Sequence, residues 1–133
     1  MPKLLNLELL NLKVMSKLVM LRKTDEFSSV FSFRKRFSSR FLVLHYKPNA
    51  ANQLQIGFVV AKKMAKLAVD RNYMRRVLHE HCRQNLNAEL PVDIVIQVQK
   101  PFQNADFLLV KQELIDLFAK VQQKIVFAQV SNA

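Results

Sequence analysis

The chain has 133 residues, a formal net charge of +11 from 21 Lys+Arg against 10 Asp+Glu, and a 50% share of hydrophobic residues. That length supports a single domain with its own core, while one glycine and four prolines exclude collagenous or linker-rich architectures. A lone thiol, Cys82, excludes an intrachain disulfide and a thiolate zinc finger and suits a reducing cytoplasm, and a pI near 10.2 makes a polyanion the natural partner, nucleic acid before anionic membrane.

Residues 1–20 are rich in Leu, Val and Met but are interrupted by Lys3, Glu8, Lys13 and Lys17. No run reaches the roughly 18 apolar residues of a membrane span, and no small-residue cleavage site follows. The segment reads as a peripheral extension: either an amphipathic surface stretch or the product of a start placed upstream of the true initiator, Met15 or Met20. Residues 21–127 read as one domain and 128–133 as a tail. Thr24 before Asp25 and Glu26 predicts an N-cap followed by acids at the positive end of a helix. Phe27, Val30 and Phe31 then form one apolar stripe, and the helix ends near Arg34.

Phe41–Tyr46 has the aromatic and branched side chains of a strand, and Pro48, Asn49 and Asn52 break it. Leu54–Ala61 reads as a second strand and as the hairpin partner of the first. It carries the sole glycine, Gly57, the mark of a bulge or a close backbone approach. A helix is expected from about Asp70, its N-cap, to Asn87, and Pro91 closes the connection to a third strand at Val92–Val98. Asn104 or Asp106 caps a last helix with Leu109, Leu114, Leu117, Phe118, Val121 and Ile125 on its core face. The order α-β-β-α-β-α predicts an α+β fold, a small sheet with helices packed on it.

The charge is concentrated. Residues 22–47 and 62–83 each hold seven basic and two acidic residues, whereas residues 84–133 hold four basic and five acidic. Arginine outnumbers lysine in both basic blocks and is the better phosphate fork. On a helical wheel from Arg71, the residues Arg71, Asn72, Arg75, Arg76, His79, Glu80 and Arg83 share roughly half the circumference. Tyr73, Met74, Val77, Leu78, His81 and Asn85 occupy the other side; Cys82 and Leu86 fall in the polar arc and Gln84 in the apolar one. Four arginines on one arc repel each other unless an anion meets them, and Glu80 is the only acid there, able to pair with Arg76 or Arg83. The face is suited to a phosphate backbone, and Lys62, Lys63 and Lys66 extend it.

Other constellations are weaker. His79 and His81 sit about 200° apart on the wheel and cannot share a metal. Cys82 has no evident base and orienting partner. Phe27 and Phe31 read as core or as binding residues. The acids of the basic blocks, Asp25, Glu26, Asp70 and Glu80, are too scattered for a two-metal nuclease, so the chain binds a polyanion without cutting it alone.

The run Lys62-Lys63 … Arg71-Asn72-Tyr73-Met74-Arg75-Arg76-Val77-Leu78-His79-Glu80-His81-Cys82-Arg83 resembles the signature of the bacterial ribonuclease P protein subunit. In that family two lysines precede a run of the form R-N-x-x-K-R-x-x-R-E-x-x-R. The preceding I-G-F-V-V-A strand and the earlier E-F-x-x-V-F fit as well, and the resemblance covers about residues 21–126. Arg75 stands where the family has lysine, and His79 where it has arginine, so His79 should contribute less to phosphate binding near neutral pH. Residues 1–20 have no counterpart in the family pattern.

The resemblance implies a small two-layer α/β sandwich with a left-handed β-α-β crossover, like the second domain of ribosomal protein S5. It implies one protein per catalytic RNA, removal of the 5′ leader of precursor tRNA by hydrolysis, and Mg²⁺ held mainly by the RNA. It assigns Lys62, Lys63, Lys66, Arg71, Asn72, Arg75, Arg76, His79 and Arg83 to the catalytic RNA, with Glu80 behind them. Phe27, Phe31, His45 and Tyr46 would line a cleft for the single-stranded leader. It implies no membrane partner, no metal ligands on this chain and a cytoplasmic setting. The competing readings are a ribosomal or RNA-chaperone protein, an anionic-membrane binder using residues 1–20, and a self-sufficient nuclease.

Overall fold

The computed structural model describes residues 18–131, with side chains through residue 126. Most of the expected N-terminal extension, residues 1–17, and the end of the expected tail therefore lie outside the described residues. Within them the order is β1 (Val19–Met20), α1 (Thr24–Phe33), β2 (Lys35–Ser38), β3 (Leu42–Pro48), β4 (Gln55–Val59), α2 (Ala68–Asn85), β5 (Val92–Val98), a short 3-10 turn (Asn104–Asp106) and α3 (Phe107–Ser131). The strands form one sheet in the order β1-β4-β5-β3-β2. β3 is antiparallel to both β2 and β5, whereas β4 runs parallel to β1 and to β5.

The expected β3–β4 hairpin does not form, because β5 lies between the two strands. β5 is apolar on both faces: Val92, Ile94, Val95 and Ile96 are fully buried and Val98 nearly so. A strand of that kind belongs at the sheet centre. The chain between β3 and β4 is instead tied to the segment that precedes β5. Asn49 donates its backbone N–H to Pro91 O at 3.0 Å and Leu54 donates to Ala88 O at 2.8 Å. The Asn49 amide also bridges Gln53 O and Asp93 Oδ1.

Alternation along the strands divides the molecule. Leu42, Leu44, Tyr46, Ile56, Ile94 and Ile96 point to the face covered by α2 and α3, where the main core lies. Val95 and Val59 point the other way and form a smaller core with Leu21, Phe27 and Val30 under α1. The sandwich of sheet and helices is thus present, with the short α1 added on the opposite face. Two strands escape sequence pattern. β2 is short and charged, as edge strands are, and only Phe37 turns inward, stacking on Tyr46 at 5.7 Å. β1 pairs Val19 and Met20 with Gln55 and Ile56, and Leu21 is buried, so the ordered domain begins before residue 21.

The helix ends also differ from expectation. Thr24 is the first helical residue of α1 rather than its cap. The start is closed by Glu26, whose carboxylate accepts the backbone N–H of Lys23 at 2.9 Å and of Arg22 at 3.2 Å. Asp70 likewise lies within the first turn of α2, and the extended Leu67 precedes the helix. Along α3 the core stripe is Val110, Leu114, Leu117, Phe118, Val121 and Ile125. Leu109, expected inward, is 52% exposed, since it lies one position, about 100°, off that stripe.

Candidate nucleic-acid interface

α2 buries Met74, Val77, Leu78, His81 and Cys82 against the main core. Cys82 and Leu86, placed by the wheel in the polar arc, are both buried. They continue the i, i+4 row from Met74 and Leu78, which drifts around the helix by about 40° per step. The outward arc carries the exposed Asn72, Arg76 and Gln84, with Arg71, Arg75, His79, Glu80 and Arg83 half-buried along its rim.

Each cation is held differently. Arg83 forks onto Glu80, Nη2 to Oε1 at 2.5 Å and Nε to Oε2 at 3.2 Å, and Gln84 donates to the same carboxylate. The Arg83 guanidinium holds the Glu80 carboxyl below the ordinary carboxylate range. Glu80 therefore orients Arg83 and leaves Arg76 without an acidic partner among the described residues. Arg75 is steadied by the Asn72 side-chain carbonyl. Arg71 folds back, its Nη1 donating to Ala65 O at 2.8 Å and Lys66 O at 2.9 Å, so it also fastens the segment before α2. Lys62 and Lys63 project from the turn closed by Met64 N–H to Ala61 O, and Lys66 is exposed just after it. Cations left unpaired in this way raise the local potential and favour an anionic partner.

A second site lies on the α1 face. Phe31, Arg34, Arg36 and His45 line an open groove of about 400 Å³. The Phe31 ring meets His45 edge to face at 4.6 Å, and Phe31 stays 37% exposed. His45 is buried, with Nε2 3.0 Å from Gln97 Oε1. Burial lowers the His45 pKa, opposed by the Gln97 hydrogen bond and reinforced by the nearby Arg36 charge.

Sequence pattern does not point to Arg34 and Arg36 as groove residues. Arg34 ends α1 in the left-handed conformation, φ 61°, which turns the chain into β2, and Arg36 then sits opposite His45 in the β2–β3 register. The one local signal is the alternation of Arg36 with the inward Phe37. Phe27 sits at the root of α1 in the small core rather than on the groove's open wall. Tyr46 does not belong to this site: one residue on from His45, it points to the opposite face and is buried against Phe37 in the main core.

The two histidines of α2 separate as the wheel requires. His79 sits at the rim against Phe58, ring centroids 6.2 Å apart, whereas His81 is buried beside Phe107. Burial raises the Cys82 thiol well above its usual range, which leaves it unsuited to nucleophilic attack. Among the described residues, no group of three or more His, Cys, Asp or Glu is placed to hold a metal ion, and no helix is long and apolar enough to cross a membrane.

A family model described as Ribonuclease P matches residues 15–122. The ribonuclease P protein component of Azoarcus sp. (strain BH72) is 40% identical over 103 residues, 77% of this chain and 86% of that protein. The ribonuclease P protein component of Chromobacterium violaceum is 41% identical over 101 residues, 76% of this chain and 84% of its own length. The solved RNase P protein from Thermotoga maritima shares the fold with a TM-score of 0.67 at 26% identity, covering 76% of this chain and 96% of that one.

Proposed function

The chain belongs to the ribonuclease P protein family, and from that premise we propose that it is the protein subunit of an RNA-catalysed endoribonuclease that removes the 5′ leader of precursor tRNA. The observation that carries this reading is the two-sided charge layout. An arginine-edged helix whose Glu80 is already committed to Arg83 lies on one face of the sheet, and an aromatic groove flanked by Arg34 and Arg36 lies on the other.

In this reading α2 and the turn before it dock on the catalytic RNA. Lys62, Lys63, Lys66, Arg75 and Arg76 meet phosphates, Arg71 does so while fastening its own loop, and Arg83 is held ready by Glu80. His79 packs against Phe58 at the rim of this surface. The groove takes the single-stranded leader, with Phe31 offering a face on which a base can stack and the two arginines reaching its backbone. The Mg²⁺ of the reaction is held mainly by the RNA. One protein serves one RNA, in the cytoplasm, without a membrane partner. A catalytic RNA and its substrate are both polyanions, and a +11 chain between them offsets their repulsion. The subunit should therefore lower the Mg²⁺ concentration at which the RNA works.

The test is cleavage of precursor tRNA at low Mg²⁺ by the cognate ribonuclease P RNA, with and without the full chain. Correct 5′ processing only when RNA and protein are combined is the expected result. Tight RNA binding without rescue would favour an RNA-chaperone role, and cleavage by protein alone would favour an independent nuclease.

A further inference from the structure

A cavity of about 450 Å³ opens between α2 and the connection from β5 to α3. None of the basic side chains of α2 and none of the groove residues lines it. Phe102, 3% exposed, supplies an apolar floor, and Tyr73 and Met64 supply partly buried walls. Asp70, Gln103 and Asn104 bring polar groups to the same space. The Tyr73 hydroxyl donates to Asn104 Oδ1. That hydrogen bond ties the two elements together and leaves the Asn104 amide N–H groups free to donate. Asp70 lies in the first turn of α2, and it pairs with no cation among the described residues.

The lining and the surroundings call for different parts of one ligand. An aromatic and thioether pocket suits a flat heterocycle, a carboxylate accepts two adjacent N–H donors, and a side-chain amide donates to a carbonyl or ring nitrogen. In the chain, Lys63 and Lys66 flank Met64 and Ala65 of the lining and Arg71 follows Asp70. Unpaired bases of RNA are read in this way, by stacking and by contacts to their edges. Among the common bases only guanine presents two adjacent donors, N1–H and the 2-amino group, with the O6 and N7 acceptors farther along its edge.

We infer that this cavity captures an unstacked guanine of the RNA bound along α2, with Asp70 accepting from N1–H and the 2-amino group and Asn104 donating to the acceptor edge. The inference rests on the RNA-facing reading of α2. It adds base selectivity to a surface that otherwise meets only phosphates.

Titration of the isotope-labelled full chain with guanosine, adenosine and inosine 5′-monophosphates, followed by NMR, tests it. GMP should shift the Tyr73 ring and Asn104 side-chain amide signals saturably and bind about tenfold or more tightly than AMP, as a bidentate contact does. Inosine monophosphate, which lacks the 2-amino group, should lose most of that advantage, and Asp70→Asn should abolish the preference. Equal affinities for GMP and AMP, shifts confined to the lysine turn, or an Asp70→Asn protein that still prefers GMP would each overturn the inference. Failure of the underlying RNA-docking reading would register separately, as catalytic-RNA affinity that survives alanine at Arg71, Arg75 and Arg76.

Discussion

Gly57→Ala isolates the packing that seats α1 on the sheet. Gly57 lies in β4 without a positive φ, so the issue is space rather than backbone conformation. A Cβ at this position would stand 2.5 Å from Cζ of Phe27, and 3.4 Å from Cβ of Leu21. The Phe27 ring is packed among Leu21, Val30, Val59 and Val95, so relief requires α1 to lift or the ring to leave its rotamer. Overpacking of this kind costs about 1–3 kcal/mol, against about 0.4–1 kcal/mol returned by the reduced freedom of the unfolded chain. The net loss of about 1–2 kcal/mol should lower Tm by roughly 3–8 °C for a domain of this size. Urea unfolding of Gly57→Ala, Phe27→Leu and the double variant checks it: the double variant should be more stable than the sum of the single effects. Because α1 carries Phe31, affinity for a single-stranded leader should fall with stability. A Gly57→Ala protein as stable as the parent, or strictly additive effects, would refute the reasoning.

Arg71→Ala, Arg75→Ala and Arg76→Ala together should weaken catalytic-RNA binding and flatten its salt dependence, by about 0.7–0.9 in the log–log slope for each phosphate no longer neutralised; unchanged affinity across a salt series would remove α2 from the interface. Phe31→Ala should reduce affinity for a precursor tRNA with a leader by about 1–3 kcal/mol, the value of one stacked base, and leave mature tRNA binding unaffected, which a paired fluorescence titration reads. His81 is buried, its Nε2 has no hydrogen-bond partner among the described residues, and burial, reinforced by the Lys111 charge, lowers its pKa from 6.5. A depressed histidine pKa means the unfolded chain takes up the proton first, so stability is complete above about pH 6.5 and is lost as pH falls towards the folded-state value. His81→Leu should flatten that part of a stability–pH profile, and a slope identical to the parent's would show that His81 does not contribute.

Much of the site is written in local order. The row Arg71, Asn72, Arg75, Arg76, Glu80, Arg83 falls on one side of a helix whatever that helix packs against, because helical period alone sets it. The strand Val92–Val98 and the last helix announce themselves by runs and stripes of apolar residues. Gly57 marks a close approach, and the Phe27 ring is what approaches. Spatial neighbours are not declared in the same way. Strands β3 and β4 look like a hairpin until β5, apolar on both faces, takes the place between them. β2 carries too few apolar residues to be read as a strand and exists because β3 offers an unpaired edge. The division between His45 in the groove and Tyr46 in the core follows from which sheet face α1 covers, as does the recruitment of Arg34 and Arg36. Periodicity is a property of consecutive residues, so the chain determined which side chains share a face. Which faces meet depends on pairing between segments far apart in sequence, where the burial of β5 outweighs local preference, and only the tertiary structure decided that.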